Sequence, residues 1–101
     1  MGLLNFLIGN KNDKIKGFQS RKAIIIDVRT TSEYSQGAIS GSKNIPLQIL
    51  HSKIENLKKQ NKPIITCCAS GMRSGNAASI LKKNGIEVIN GGGWKSLSSK
   101  L

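Results

Sequence analysis

A chain of 101 residues with 38% hydrophobic content has room for one domain with a modest core and none for a second. Its longest early apolar stretch, Leu3 to Ile8, is far short of the roughly 20 residues of a membrane span and has neither a basic flank nor a small-residue cleavage site, so a cytoplasmic protein without a membrane partner is expected. The formal charge of +11 favours anionic partners, but lysines recur in every third of the chain and only Phe6, Phe18, Tyr34 and Trp94 could stack on bases, which argues against nucleic acid.

Residues 1–12 carry Leu3, Leu4, Phe6, Leu7 and Ile8 and read as a helical turn or flap over the core, with a strand as the alternative. Phe6 stands where a myristoylation signal needs Ser or Thr. Asp13 is the expected cap of a short helix to Lys22, with Ile15 and Phe18 inward and Gly17 weakening its middle. Residues 1–22 thus form an apolar segment and short helix belonging to the same domain as 23–101. Ala23-Ile24-Ile25-Ile26-Asp27-Val28 is continuous and β-branched, the pattern of a central strand. Thr30-x-x-Glu33 is a capping box for a brief helix to Gln36, and Gly37 and Gly41 punctuate the loop after it. Lys43-Asn44-Ile45 reads as a short strand stopped by Pro46. Leu47, Leu50, Ile54 and Leu57 then recur at helical spacing, with Lys53, Lys58 and Lys59 outward and His51 exposed among them.

Pro63-Ile64-Ile65-Thr66-Cys67 has the length and flanks of a second buried parallel strand. Ala77, Ala78, Ile80 and Leu81 give the next helix one apolar face, Lys82 and Lys83 suit its negative end, and Gly85 closes it. Ile86 to Ile89 is the last predicted strand, and Gly91-Gly92-Gly93 a turn beneath Trp94. Alternating strands and helices imply an α/β fold, a mainly parallel sheet of about four or five strands with helices on both faces. Ligands of such sheets bind beyond the carboxyl ends of strands, where Asp27, Cys68 and Gly91 all fall.

The chemistry concentrates in the turn Cys68-Ala69-Ser70-Gly71-Met72-Arg73 between strand and helix. Amides and a helix N-terminus converge on such a turn, so a thiol there gains thiolate character and an anion is stabilised. Arg73 adds a fixed positive charge that opposes the helix dipole unless an anion or loop carbonyls compensate it. Adjacent Cys67 and Cys68 cannot form an ordinary disulfide, which favours reduced thiols and a reducing compartment. As successive strand residues they face opposite ways, and Cys67 is read as an inert buried thiol, a resolving thiol being the alternative.

The turn resembles the active-site loop of the rhodanese (sulfurtransferase) family, whose catalytic cysteine opens a six-residue cradle ending near an arginine. Asp27-Val28-Arg29-Thr30-Thr31-Ser32-Glu33-Tyr34, followed by Gly37-Ala38-Ile39-Ser40-Gly41-Ser42-Lys43-Asn44-Ile45-Pro46-Leu47, is similar to that family's first signature, and Gly91-Gly92-Gly93-Trp94 to its closing motif. Together they cover residues 23–101. Ala38 departs from the family's usual histidine.

The resemblance implies a single-domain rhodanese-like protein in which Cys68 takes a sulfane sulfur from thiosulfate or a persulfide, holds it as a persulfide under the amides of Ala69 to Arg73, and passes it to a thiol or to cyanide. It also implies that Asp27 supports the loop, that Arg29 pairs with a carboxylate such as Glu33, and that Trp94 anchors the glycine turn and helps line the pocket. The uncharged Ala69, Ser70 and Met72 leave an anionic donor dependent on amides, Arg73 and the long-range field. Expected partners are a small anionic donor and a thiol acceptor, which a protein persulfide could supply, and the protein is expected to be a monomer. No metal is expected, because the single histidine is distant in sequence from the cysteines, and no organic cofactor, because no Rossmann or P-loop glycine pattern occurs. Two alternatives stay open: a non-enzymatic docking or sulfur-carrying module of the same fold, and a cysteine-dependent phosphatase using the longer Cys67-x5-Arg73 loop.

Overall fold

The structure, a computed structural model, describes residues 10–101, so the apolar segment Leu3 to Ile8 lies outside the described residues. Helix α1 (Lys11–Ser20) is capped by Asn10, whose side chain accepts the Asp13 N–H at 2.9 Å. Asp13, the expected cap, sits instead in the first turn, where its charge still suits the positive end of the dipole. The chain then enters β1 (Ile24–Asp27), α2 (Thr31–Ser35) and the two-residue β2 (Lys43–Asn44). The capping box forms as expected: Thr30 accepts from the Glu33 amide and Glu33 from the Thr30 amide. The predicted helix after Pro46 divides into a 3-10 segment (Leu47–Lys53) and α3 (Ile54–Gln60), which ends on Asn61 in the left-handed conformation.

Next come β3 (Ile64–Cys68), α4 (Met72–Lys83), β4 (Val88–Gly93) and α5 (Trp94–Ser98). All strand pairs are parallel, in the order β2-β1-β3-β4. The two strands read as continuous apolar runs are the two central ones, and all five residues of β3 are buried. Alternate side chains feed two cores. Ile26, Ile64 and Cys68 pack with Leu50, Ile54, Leu57, Ala77 and Leu81 on one face. Ile65 and Cys67 pack with Ile15, Ile39 and Leu97 on the other.

The glycine run corrects the expected turn. Strand β4 continues to Gly93, and α5 begins directly at Trp94. Thr66 pairs with Asn90 but Cys68 with Gly93, so β4 bulges between those points. Gly91 is pressed against Thr66 O, where a Cβ would come within 2.8 Å. The bare backbone is what lets this bulge approach the end of β3.

Candidate active site

Strand β3 ends at Cys68 and α4 begins at Met72, so Ala69-Ser70-Gly71 make the whole change of direction. Gly71 takes φ 109°, a region side chains rarely adopt. That conformation turns its N–H onto Cys68 Sγ at 3.0 Å, and the Ser74 N–H donates to the same sulfur at 3.4 Å. The Ser74 hydroxyl lies 3.3 Å from it. Ser74 is itself fully buried and is held from both sides, its carbonyl accepting from Thr66 Oγ1 at 2.9 Å and its hydroxyl donating to Asn90 Oδ1 at 2.7 Å. Asn90 also donates to Gly71 O at 3.2 Å and accepts from the Gly92 N–H at 2.9 Å. The loop is therefore clasped to β4 as well as to its own strand.

Burial pushes the Cys68 thiol up, but the Ser74 hydroxyl and the Ser74, Gly71 and Ser70 amides together outweigh it, and the group ends below its ordinary value of 9.0. Cys67 behaves oppositely. Its burial and the nearby Asp27 carboxylate push it up to about 12, and its side chain belongs to the core on the other face of the sheet. With Cys67 facing away from the loop, the longer Cys67-x5-Arg73 cradle has no thiol at its centre.

The charged residues choose partners the sequence did not name, and two expectations are corrected. Arg73 finds its compensating anion in Glu33, donating to both carboxylate oxygens at 2.7 and 3.0 Å. Those bonds, with the Thr30 amide, hold the Glu33 carboxyl down at about 2, and the carboxylate supplies the anion that Arg73 needs at a helix start. Arg29 accordingly does not pair with Glu33. It follows β1 immediately and folds back on Asp27, with Nε to Oδ1 at 2.9 Å and Nη2 to Oδ2 at 2.7 Å, both residues being buried. Asp27 also accepts the Arg29 amide and makes no hydrogen bond to the Cys68 loop among the described residues. Its support is indirect, since Arg29 reaches Gly37 O at 2.7 Å and stacks over the Trp94 ring at 4.7 Å. Trp94 thus packs on the buried ion pair rather than lying above a turn.

Ala69 and Ser70 are exposed, and Met72 stands 82% exposed at the start of α4. Arg29, Glu33, Gln36, Gly37, Trp94 and Lys95 line a hollow of about 300 Å³ beside the ion pairs. A larger one, about 430 Å³, opens at the opposite end of the sheet around Pro63, Ile86 and Glu87, far from any thiol. Among the described residues no three His, Cys, Asp or Glu side chains converge as metal ligands. Ser74 and Asn90 are the site residues that sequence reasoning missed. Ser74 carries a weak signal as the hydroxyl following Arg73, whereas Asn90 reaches the loop only through the pairing of β3 with β4.

The rhodanese-like domain profile matches residues 11–100. The uncharacterized protein YqhL of Bacillus subtilis is 42% identical over 83 residues, covering 80% of this chain and 65% of that protein. The thiosulfate sulfurtransferase PspE of Escherichia coli is 35% identical over 75 residues, 72% of each chain. Among solved structures, a rhodanese-like domain protein from Staphylococcus aureus superposes with a TM-score of 0.67 at 31% identity over 86% of each chain. With the loop geometry, the parallel sheet and these likenesses in agreement, the chain belongs to the rhodanese-like domain family.

Proposed function

We propose that this protein is a sulfurtransferase that carries a sulfane sulfur on Cys68. The observation that carries the reading is a thiol at a strand-to-helix turn whose sulfur accepts two backbone N–H groups, at 3.0 and 3.4 Å. Such donors favour a sulfur anion, first the thiolate and then the persulfide. In the first half-reaction the Cys68 thiolate attacks the outer sulfur of thiosulfate. The S–S bond of the donor breaks, sulfite leaves with its electron pair, and Cys68 becomes a persulfide anion. In the second, a thiolate or cyanide attacks the terminal sulfur, and Cys68 leaves as the thiolate it was. Because one thiol holds the sulfur between two substrates that never meet, the kinetics are ping-pong. The likeness to a thiosulfate sulfurtransferase supports that donor class, and a persulfide donor fits the same step.

The test combines intact mass with steady-state transfer. Incubation with thiosulfate, or with glutathione persulfide, should add one sulfur, and cyanide should remove it with release of thiocyanate. An adduct that forms but turns over with no small acceptor would favour the docking or sulfur-carrying module. No adduct with any sulfane donor overturns the reading.

A further inference from the structure

The Ser74 hydroxyl has one hydrogen and two claimants. Its oxygen lies 2.7 Å from Asn90 Oδ1 and 3.3 Å from Cys68 Sγ. The Asn90 amide is oriented by its other contacts, Oδ1 taking the Gly92 N–H and Nδ2 giving to Gly71 O, so the atom facing Ser74 is an acceptor. Ser74 must therefore donate to Asn90, and in that state it offers Cys68 only lone pairs. A neutral Cys68 thiol satisfies them by donating its S–H to Ser74 Oγ. A Cys68 thiolate cannot, and needs the hydroxyl hydrogen itself.

We infer that Ser74 and Asn90 form a hydroxyl switch, in which Asn90 acts as a positioning residue that competes with Cys68 sulfur for the Ser74 hydrogen. When Cys68 loses its proton to solvent, the Ser74 O–H rotates from Asn90 Oδ1 to the sulfur, breaking one hydrogen bond and making another. The Gly92 N–H stays on Asn90 throughout, so the oxygen that releases Ser74 keeps a partner. The cost of ionising the thiol thus includes the bond surrendered at Asn90. The charged groups near Cys68 and Asn90 come from several elements, and α1 brings the Lys11 ammonium close to Gly92. Glu33, from α2, titrates near 2 and Cys67, beside it on β3, near 12. Arg73 on α4 and the Asp27–Arg29 pair at the end of β1 are ion-paired, and β4 contributes no ionisable side chain. The inference needs only that Cys68 is the ionising thiol of the loop, and its readout does not involve sulfur transfer.

The experiment is the pH profile of iodoacetamide alkylation in a Cys67→Ala background, where only Cys68 can react. Ser74→Ala removes the donor and should raise the thiolate midpoint. Asn90→Ala removes the competitor and should lower it, an opposite sign that simple loosening of the loop would not give. In the double variant, Asn90→Ala should leave the midpoint of Ser74→Ala unmoved. Asn90→Leu, similar in volume and equally without an acceptor, replaces Asn90→Ala if circular dichroism shows the latter unfolded. An unchanged or lowered midpoint in Ser74→Ala, or shifts of the same sign in Ser74→Ala and the Asn90 variant, overturns the switch. Loss of sulfur transfer with the opposite shifts intact would count against the function alone.

Discussion

At the scale of single residues, two neighbouring thiols of identical chemistry are driven apart by the side of the strand on which each falls. Cys68 is served by amides and a hydroxyl, whereas Cys67 is buried among apolar side chains, where desolvation and the Asp27 carboxylate outweigh the nearby Arg29 guanidinium. Cys68→Ser should abolish persulfide formation with little change in stability, since a hydroxyl suits the same donors. Cys67→Ser should keep the persulfide but cost about 1–3 kcal/mol, because a hydroxyl enters an apolar site. Denaturant unfolding and intact mass on both variants check this, and activity that follows Cys67 would contradict it. The pH dependence has a definite sign. A thiol held below 9.0 is a thiolate above its own midpoint and loses reactivity as pH falls through it, so Cys68 alkylation should have a midpoint under 9.0. Cys67, pushed up to about 12, should stay unreactive until the fold fails.

Among elements, the loop is placed by close approach of bare backbone. A Cβ on Gly93 would lie 2.8 Å from Ala69 O, a main-chain atom with no rotamer to change. Gly93→Ala should therefore push the Cys68 loop away from β4, cost about 1–3 kcal/mol as overpacking does, and lower kcat for sulfur transfer. Thermal unfolding and steady-state kinetics measure the two effects, and wild-type kcat would show that the loop tolerates the shift. Helix α2 acts on the site through Glu33. That carboxylate neutralises Arg73 at the start of α4, and glutamine in its place can still complete the capping box. Glu33→Gln should free a cation beside the loop and lower KM for thiosulfate, while KM for an uncharged organic trisulfide donor stays put. A raised KM for thiosulfate would mean that Arg73 acts by being held, not by being charged.

For the whole molecule, charge is the dominant quantity. Of the five carboxylates, Asp27, Glu33 and Glu87 are in close ion pairs with arginines and Glu55 lies 4.0 Å from Lys58, which leaves the lysines largely uncompensated. The surface pairs contribute little to stability. The excess positive field instead favours encounter with anions, and salt screens it within about 10 Å at 0.1 M. kcat/KM for thiosulfate should accordingly fall between low salt and 0.5 M sodium chloride, with kcat nearly constant. Stopped-flow or steady-state assays at fixed pH measure this, and a flat salt profile would show that encounter owes nothing to the lysines. No helix among the described residues is long and apolar enough to cross a membrane.

The central strands, the capping box, the Cys68 turn and the opposed directions of the two cysteines were all legible in the sequence. Each depends on neighbours within a few positions: β-branched runs, Thr30 with Glu33, and the two-residue alternation of a strand. The pairing of Arg73 with Glu33 was not. Arg73 lies 40 positions from Glu33, and several carboxylates compete for each arginine until packing brings one of them close. The glycine run read as a turn because glycine breaks strands locally. Only the backbone of β3 and of the loop that follows it, pressing Thr66 O and Ala69 O against Gly91 and Gly93, makes it a bulged strand instead. Asn90 entered the site for the same reason, since parallel pairing sets it beside Thr66 and so within reach of Ser74, Gly71 and Gly92. The local code determined which turn would hold the thiol, and the long-range pairing of β3 with β4 decided which side chains surround it.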